Sequence, residues 1–402
     1  MPGPMEGVKV VEMGVWVAGP AAGGILSDWG ADVIKIEPPG LGDPGRSFAS
    51  LLGGDLDMNP IFEMDNRNKR SVILDLGKPE AREVALELID EADVFITNIR
   101  LAALERLGLD PEAMAKRNPR LIYGAITGYG MAGPDRDRAA YDIAAFWARS
   151  GIANALTGPD MPSPPFQRGG MGDHGAGLAL AAAVSAALYS REKSGRGQIV
   201  STSLLRQGIY TMSFDLSVNL RFGVEIQAAD RKVMGNPAMN CYQDRDGRWF
   251  WIVGLDPDRH WPPLARAVGH PEWIEDERFA TTPARAQNAG ELIAMIDEIF
   301  ATKTRDEWAE VFAGEPDFWW APVQNYGEVL ADPQVHASGA IVEVPDGEAT
   351  TLLPATPADF AGTPWTARSM APGHGEHTEA VLRERGRSDE QISALRKKGA
   401  IV

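Results

Sequence analysis

The stretch GGMGDHGAG, Gly169 to Gly177, sets five glycines around one aspartate and one histidine, immediately before an Ala/Leu-rich run. Two readings fit that spacing. Asp173 can cap a helix that begins there, with His174 in its first turn and the glycines making the turn. The same geometry also suits a reagent. A carboxylate beside a helix N-terminus sits in a field that favours its anion, with free backbone N–H groups nearby. Flanking glycines, lacking Cβ atoms, would let a bulky acyl group approach, and the N–H groups could stabilise an oxyanion on its carbonyl. Covalent catalysis by an aspartate needs that combination.

Basic residues form a second candidate. NRNKRS, Asn66 to Ser71, places Arg67, Lys69 and Arg70 together in an acidic chain. A solvated turn is the plainer reading; a phosphate site, with guanidinium and ammonium groups on phosphoryl oxygens, is the functional one. Lys35 lies on the strand-like DVIKIE, Arg46 ends the loop PPGLGDPGR, and Arg100 follows DVFITNI. Cations after separate strands of one sheet could converge on a polyphosphate. Neither a Walker loop nor G-x-G-x-x-G accompanies them, so side chains rather than a glycine nest would hold it. The loop TGYGMAGPDRDRAAYD, Thr127 to Asp142, carries Tyr129 and Tyr141 and reads as a structural loop or a site wall.

These groups need a scaffold, and the first third of the chain supplies its rhythm. Strand-like runs at Val8–Met13, Asp32–Glu37, Ser71–Leu76, Asp93–Ile99 and Leu121–Thr127 alternate with helical segments such as Gly19–Gly30, KPEAREVALELIDEA and Leu101–Leu107. Such alternation predicts an α/β fold with a mostly parallel, doubly wound sheet, whose ligands bind beyond the carboxyl ends of the strands. From about Phe222 the texture changes to a smaller α+β domain, including a strand at Arg248–Leu255 and charged helices; the last residues from His377 read as helical. In PDFWWAPVQ, Pro316 to Gln324, the aromatics Phe318, Trp319 and Trp320 read as core or dimer packing, or alternatively as an acyl-site wall.

The 402 residues suffice for a large domain and a smaller one, and 44% hydrophobic with 24% charged residues describes a globular protein. A net charge of −17 repels nucleic acid and anionic membrane but does not exclude a small anionic ligand, which needs only a local basic pocket. The single cysteine, Cys241, excludes an internal disulfide and fits a reducing cytoplasm. No Cys/His pair has zinc spacing, so no structural metal is expected. No signal peptide is read at MPGPMEGVKVVEM, and GAGLALAAAVSAALYS is too short and alanine-rich to span a membrane; it reads as a buried helix.

In order and spacing, EGVKVVEMGVWVAGPAAGGILSDWGADVIKIEPPGLGDPGR, NRNKRSVILDL, NIRLAALERLGLD, ITGYGMAGPDRDRAAYD, GDHGAG, GNPAMNCYQDRDGRWFWIV, DERFATTPARAQN and LADPQVHASGAIVEV resemble the class III, formyl-CoA transferase-like, CoA-transferase family. That family also contains 2-methylacyl-CoA racemases. The resemblance implies a Rossmann-like large domain over residues 1–200, a linker over 201–224, a small domain over 225–330 and a returning segment over 331–402. It further implies two subunits interlocked as rings. No permanently bound cofactor is implied; a coenzyme A thioester is substrate, with a carboxylic acid as its partner.

By the same resemblance Asp173 is the catalytic aspartate, passing through a mixed anhydride and an aspartyl-CoA thioester. The segment with Arg67, Lys69 and Arg70 would lie near the 3′-phosphate of CoA, Arg100 would meet its diphosphate, and Lys35, Asn98, Tyr129 and Tyr141 would complete the CoA site. Trp16, Val17, Gly172 and His174 would form the acyl pocket. Two positions depart from related patterns. Tyr141 stands where the racemases carry a histidine base, which favours the transferase branch over a racemase or epimerase. Val17 stands where formyl-CoA transferases carry a glutamine, which points to an acid larger or more apolar than oxalate. A non-catalytic CoA-binding protein is the remaining alternative.

Overall fold

Six short strands, β1 (Lys9–Met13), β2 (Asp32–Glu37), β3 (Arg70–Ile73), β4 (Val94–Thr97), β5 (Ile122–Thr127) and β6 (Ile199–Ser203), form one parallel sheet in the order β3-β2-β1-β4-β5-β6. The computed structural model describes residues 3–47, 59–315 and 317–402; Pro316, like the first two residues, lies outside them. Strand order reverses between β1 and β4, and a crevice opens at such a switch point beyond the strand ends.

Side-chain alternation explains why the sheet is buried on both faces. Val11, Met13, Ile34, Ile36, Val72 and Phe95 point to one face, where they pack on Val84 and Leu88 of the helix Pro79–Asp90 and on Val381, Leu382, Ile392 and Leu395 from the helices Thr378–Glu384 and Asp389–Lys397. Val10, Val33, Val94, Ile96, Ile122 and Ile126 point to the other, under the helices Ala18–Asp28 and Met171–Ser194. On that second face the alternation continues as charge: Glu12, Lys35, Glu37 and Ser71 take the next positions and are fully buried. Glu12 pairs in register with Lys35, and Lys35 with Ser71.

The chain divides into two compact units, one of Met1–Leu156, Pro164–Ile226 and His336–Val402, the other of Thr157–Ser163 and Gln227–Val335. Residues 201–224, expected as a linker, hold the end of β6 and two helices, Leu204–Thr211 and Ser213–Phe222, within the first unit. The first unit also holds an antiparallel hairpin, β10 (Ile341–Asp346) with β11 (Ala349–Pro354), turning at Gly347 with φ +61°. The second unit has a three-stranded antiparallel sheet of β7 (Met239–Gln243), β8 (Trp249–Val253) and β9 (Trp320–Pro322) over an aromatic core. Phe318 stacks on Phe312 with ring centroids 4.4 Å apart, and Trp320 meets Phe312 and Phe250 edge-on, so these two aromatics are core. Trp319 remains about half exposed and packs on His260. Burial holds the Cys241 thiol above its ordinary range, against a partial opposing pull from Arg231, which makes it a poor nucleophile. No helix among the described residues is long and apolar enough to cross a membrane.

Candidate active site

The helix Met171–Ser194 begins at Gly170, whose φ of +79° makes it the N-cap, so Asp173 sits inside the first turn and is not the cap. The surrounding glycines serve packing more than clearance. A Cβ on Gly172 would lie 2.2 Å from both Asp142 Oδ1 and Phe146 Cγ, and one on Gly177 would lie 2.8 Å from Ala21 Cβ, where the two helices cross. Only Gly169 and Gly170 face an open cavity beside Asp173. The expected oxyanion role is also narrowed, because the Gly172 N–H already donates to Asp142 Oδ2 at 3.1 Å. Asp142 is placed by the π-helical turn Ile143–Ala148 that follows it, whose Phe146 packs into the core.

Two cavities meet at Asp173, both within the first unit. One, of about 410 Å³, runs past the ends of β1, β4 and β5 and is lined by Asn98, Arg100, Arg136 and Arg138. The other, of about 610 Å³, is walled by Val17, Ile61, Met64, Ile143, Leu353 and Pro354. Trp16 and Tyr141 stand between them, edge to face at 5.9 Å, and line both. A polar, cationic chamber and an apolar chamber therefore share two carboxylates, Asp173 and Asp142.

No described residue donates a hydrogen bond to the Asp173 side chain. Burial, followed by the negative charge of Asp142 and a smaller push from Asp65, raises its pKa to about 7, against a downward pull from His174. The carboxylate is thus uncommitted and poised between protonation states near neutrality. His174 shares the apolar cavity with it, and its Nε2–H donates to Asp65 Oδ1 at 3.2 Å. That bond raises the imidazole pKa, against burial, with help from the charges of Asp65, Asp173 and Asp142.

The loop after β1 that carries Trp16 and Val17 is held from below. Asn98 bonds both ways to Val15, accepting its N–H at 2.9 Å and donating to its carbonyl at 2.8 Å. Asp43 Oδ1 accepts the Trp16 N–H at 2.9 Å, and Lys35 Nζ donates to Gly14 O at 2.8 Å. Trp16 has φ +63°, a left-handed conformation costing a non-glycine residue about 1–2 kcal/mol. The surrounding hydrogen bonds hold it there.

This loop support corrects the expectation for three cations. Lys35 is fully buried between Glu12 at 2.9 Å and Asp43 at 2.8 Å. Lys69 is buried on Glu12 at 2.7 Å, and Arg67 on Asp28 at 2.6 Å with a further bond to Pro354 O. None of the three lines the cationic cavity. Each is consumed by a carboxylate that desolvation obliges it to find. Arg70, partly exposed, is paired with Asp32 and Glu384, and Arg46 with Glu37. Among the expected CoA residues, Arg100, Asn98 and Tyr141 do line the cavity with Asp173. Tyr129 stands one layer back, its ring beneath the guanidinium of Arg149 at 4.7 Å and that of Arg138 at 5.7 Å.

Several wall residues escaped the sequence reading. Arg136 and Arg138 sit in the quoted loop GPDRDR, where two arginines among aspartates read as balanced surface charge. Leu353 and Pro354 belong to β11, whose only local signal is the PDG turn between two extended runs. Gln167, Met64 and Asp65 carry no motif at all.

Comparison with known proteins agrees with this geometry. Residues 5–378 match the family described as CoA-transferase family III. The chain is 33% identical to the (R)-2-hydroxy-4-methylpentanoate CoA-transferase of Clostridioides difficile, covering 97% of each chain. It is 32% identical to the cinnamoyl-CoA:phenyllactate CoA-transferase of Clostridium sporogenes, over 98% of this chain and 96% of that one. A CAIB/BAIF family protein from Brucella suis superposes with a TM-score of 0.84 at 31% identity, over 96% of this chain and 100% of that one. Sequence and architecture agree that the chain belongs to CoA-transferase family III.

Proposed function

We propose that this enzyme moves CoA from an acyl-CoA donor to an acid with a branched or aromatic apolar body, through covalent intermediates on Asp173. The observation that carries the reading is Asp173, whose side chain accepts no hydrogen bond from any described residue, at the junction of a cationic and an apolar chamber. CoA would lie in the first, its phosphates on Arg100, Arg136 and Arg138, and the acyl group would enter the second.

Asp173 in its ionised form attacks the thioester carbonyl, and the C–S bond breaks to leave a mixed anhydride and CoA thiolate. The thiolate, still held by its phosphates, attacks the aspartyl carbonyl and releases the donor acid, leaving an aspartyl-CoA thioester. The acceptor carboxylate attacks that thioester, expelling the thiolate and forming a second anhydride. Attack of the thiolate on the acceptor carbonyl yields acceptor-CoA and restores Asp173. Anhydride and thioester both retain acyl-transfer potential, so no external energy source is needed, but water must be kept out. The apolar walls around Asp173 serve that end.

Val17 in the wall and the volume of about 610 Å³ support an acid larger than oxalate. The relatives named for 2-hydroxy-4-methylpentanoate and phenyllactate handle acids of that kind. A homodimer is part of the same reading. The helix Ser213–Phe222 buries none of its residues and exposes Phe214, Leu220 and Phe222, an apolar face suited to a second copy.

The test is chemical trapping. Incubation with an acyl-CoA followed by hydroxylamine or borohydride should mark Asp173 in a peptide map, and Asp173→Ala should abolish both mark and turnover, by roughly 10³-fold or more. Undiminished turnover in Asp173→Ala overturns the mechanism.

A further inference from the structure

The second half of the exchange makes a demand that the first does not. A free carboxylate must enter a mostly apolar chamber beside Asp142 and Asp65, and a buried anion without hydrogen-bond donors is expelled. Donors must therefore exist on the apolar side, away from the arginines that face CoA.

Two groups there have donor capacity that the fold leaves unused. His174 spends Nε2–H on Asp65, and its Nδ1 makes no hydrogen bond with any described residue. That edge of the ring lies against Gly170, where a Cβ would stand 3.1 Å from Nδ1; the glycine leaves it uncovered on the cavity wall. Gln167 lines the same cavity, and its Nε2 is buried with no hydrogen-bond partner. A buried amide without a partner is uncommon and calls for an explanation.

Resting on the CoA-transferase reading above, we propose that His174 Nδ1 and Gln167 Nε2 form the seat of the acceptor acid's carboxylate, with Asp65 as the positioning residue that orients the imidazole. The Asp65 bond fixes Nε2–H and thereby turns Nδ1 to the cavity. It also favours the imidazolium, in which Nδ1 carries a proton to donate. The seat further explains the order of events. While Asp173 is ionised it repels a second carboxylate; once it is held as the CoA thioester it is neutral, and the acceptor can settle next to it. The acids that fit are monocarboxylates whose apolar body extends toward Ile61, Met64 and Leu353. Arg168, on the exposed part of the wall, is the rival anchor.

The two half-reactions separate these roles. Formation of the aspartyl-CoA adduct from butyryl-CoA or cinnamoyl-CoA is followed by mass spectrometry of the intact protein, and the steady-state KM is measured for 4-methylpentanoate and 3-phenylpropanoate as acceptors. Gln167→Leu should raise the acceptor KM several-fold with adduct formation within about twofold of wild type, and His174→Asn should raise it roughly tenfold or more, in addition to the slower adduct formation expected when the imidazole charge beside Asp173 is lost. Asp65→Asn should follow His174→Asn in direction, and Arg168→Ala should change little. A fall in adduct formation in His174→Asn with no rise in the acceptor KM overturns the seat, because His174 then serves Asp173 alone. So does a KM effect carried by Arg168→Ala alone. Should His174→Asn not fold, the ¹⁵Nδ1 resonance of His174 in the wild-type enzyme, first converted to its aspartyl-CoA adduct, must move on addition of 4-methylpentanoate; a stationary resonance rejects the proposal. Absence of any aspartyl adduct in wild type with either donor is the separate failure of the transferase reading, and the seat falls with it.

Discussion

Glu37 and Asp173 are carboxylates withdrawn from water near the carboxyl end of one sheet, and they finish on opposite sides of their ordinary range. For Glu37 burial pushes upward, but hydrogen bonds from Arg46, the charge of Lys35 and the Ser71 hydroxyl outweigh it and bring the pKa down to about 2. For Asp173 burial also pushes upward, and its nearest charged neighbours include another carboxylate, Asp142, so the value climbs to about 7. Depth is common to both; the sign of the partner differs. The cluster of Glu12, Lys35, Glu37, Asp43 and Lys69 is self-satisfied and holds a loop in place. Asp142 and Asp173 instead repel one another, a condition that suits the nucleophilic role proposed for Asp173.

The largest test of that contrast removes a cation from the satisfied cluster. Lys35→Met leaves Glu12 with Lys69 alone and strips Asp43 of its cation in the core, and should cost about 3–5 kcal/mol in urea unfolding. Full stability combined with lost acyl-CoA affinity would instead make Lys35 a ligand group. Arg100→Ala probes an exposed cation with the opposite expectation. Its unfolding midpoint should stay put, while the KM for acyl-CoA rises about 10–100-fold with loss of a charge-assisted bond to phosphate. A smaller and more diagnostic effect concerns the pH dependence of stability. The folded value of Glu37 lies below the unfolded one, so its contribution is present above about pH 4.5 and fades as pH falls toward 2. The folded value of Asp173 lies above the unfolded one, so its contribution is present at low pH and is lost as pH rises through 7. Asp173→Asn should therefore raise Tm at pH 8 and leave it unchanged near pH 3, whereas Glu37→Gln should lower Tm at pH 8 and converge with wild type near pH 2. The smallest effect belongs to Asp142→Asn. Removing that negative neighbour should shift the acid limb of kcat/KM to lower pH, measured as the ratio of rates at pH 6 and pH 8; a shift to higher pH contradicts the account of Asp173.

The contrast also marks where the amino-acid sequence was readable. Alternating strand and helix signals in the first third gave away the parallel sheet, because short β-branched runs bounded by turns alternate with crossover helices that repeat at 3.6 residues. β6 escaped since IVSTS, at the sheet edge, is short and mostly polar, and the β10–β11 hairpin is marked by little more than its PDG turn. Asp173 was conspicuous through its glycines, although those glycines turned out to fit Asp142, Phe146 and Ala21 rather than a substrate. The cations misled for a physical reason. Lys35, Arg67 and Lys69 looked like phosphate ligands because a linear sequence shows charge but not depth, and their partners Glu12, Asp28 and Asp43 lie on other segments. Asp65 and Gln167 had no local signal, since what matters about them is which distant side chain they face.

The hairpin β10–β11 has one more consequence, for the time course of synthesis. Leu353 and Pro354 close the apolar chamber at Asp173, and Pro354 O accepts a bond from Arg67 behind it, yet both leave the ribosome only after the whole second unit has been made. On the covalent reading proposed above, a growing chain would carry Asp173 without this wall until Pro354 has been made. On that reading Asp173 would be sheltered enough to keep an acyl group from hydrolysis only once this late hairpin docks.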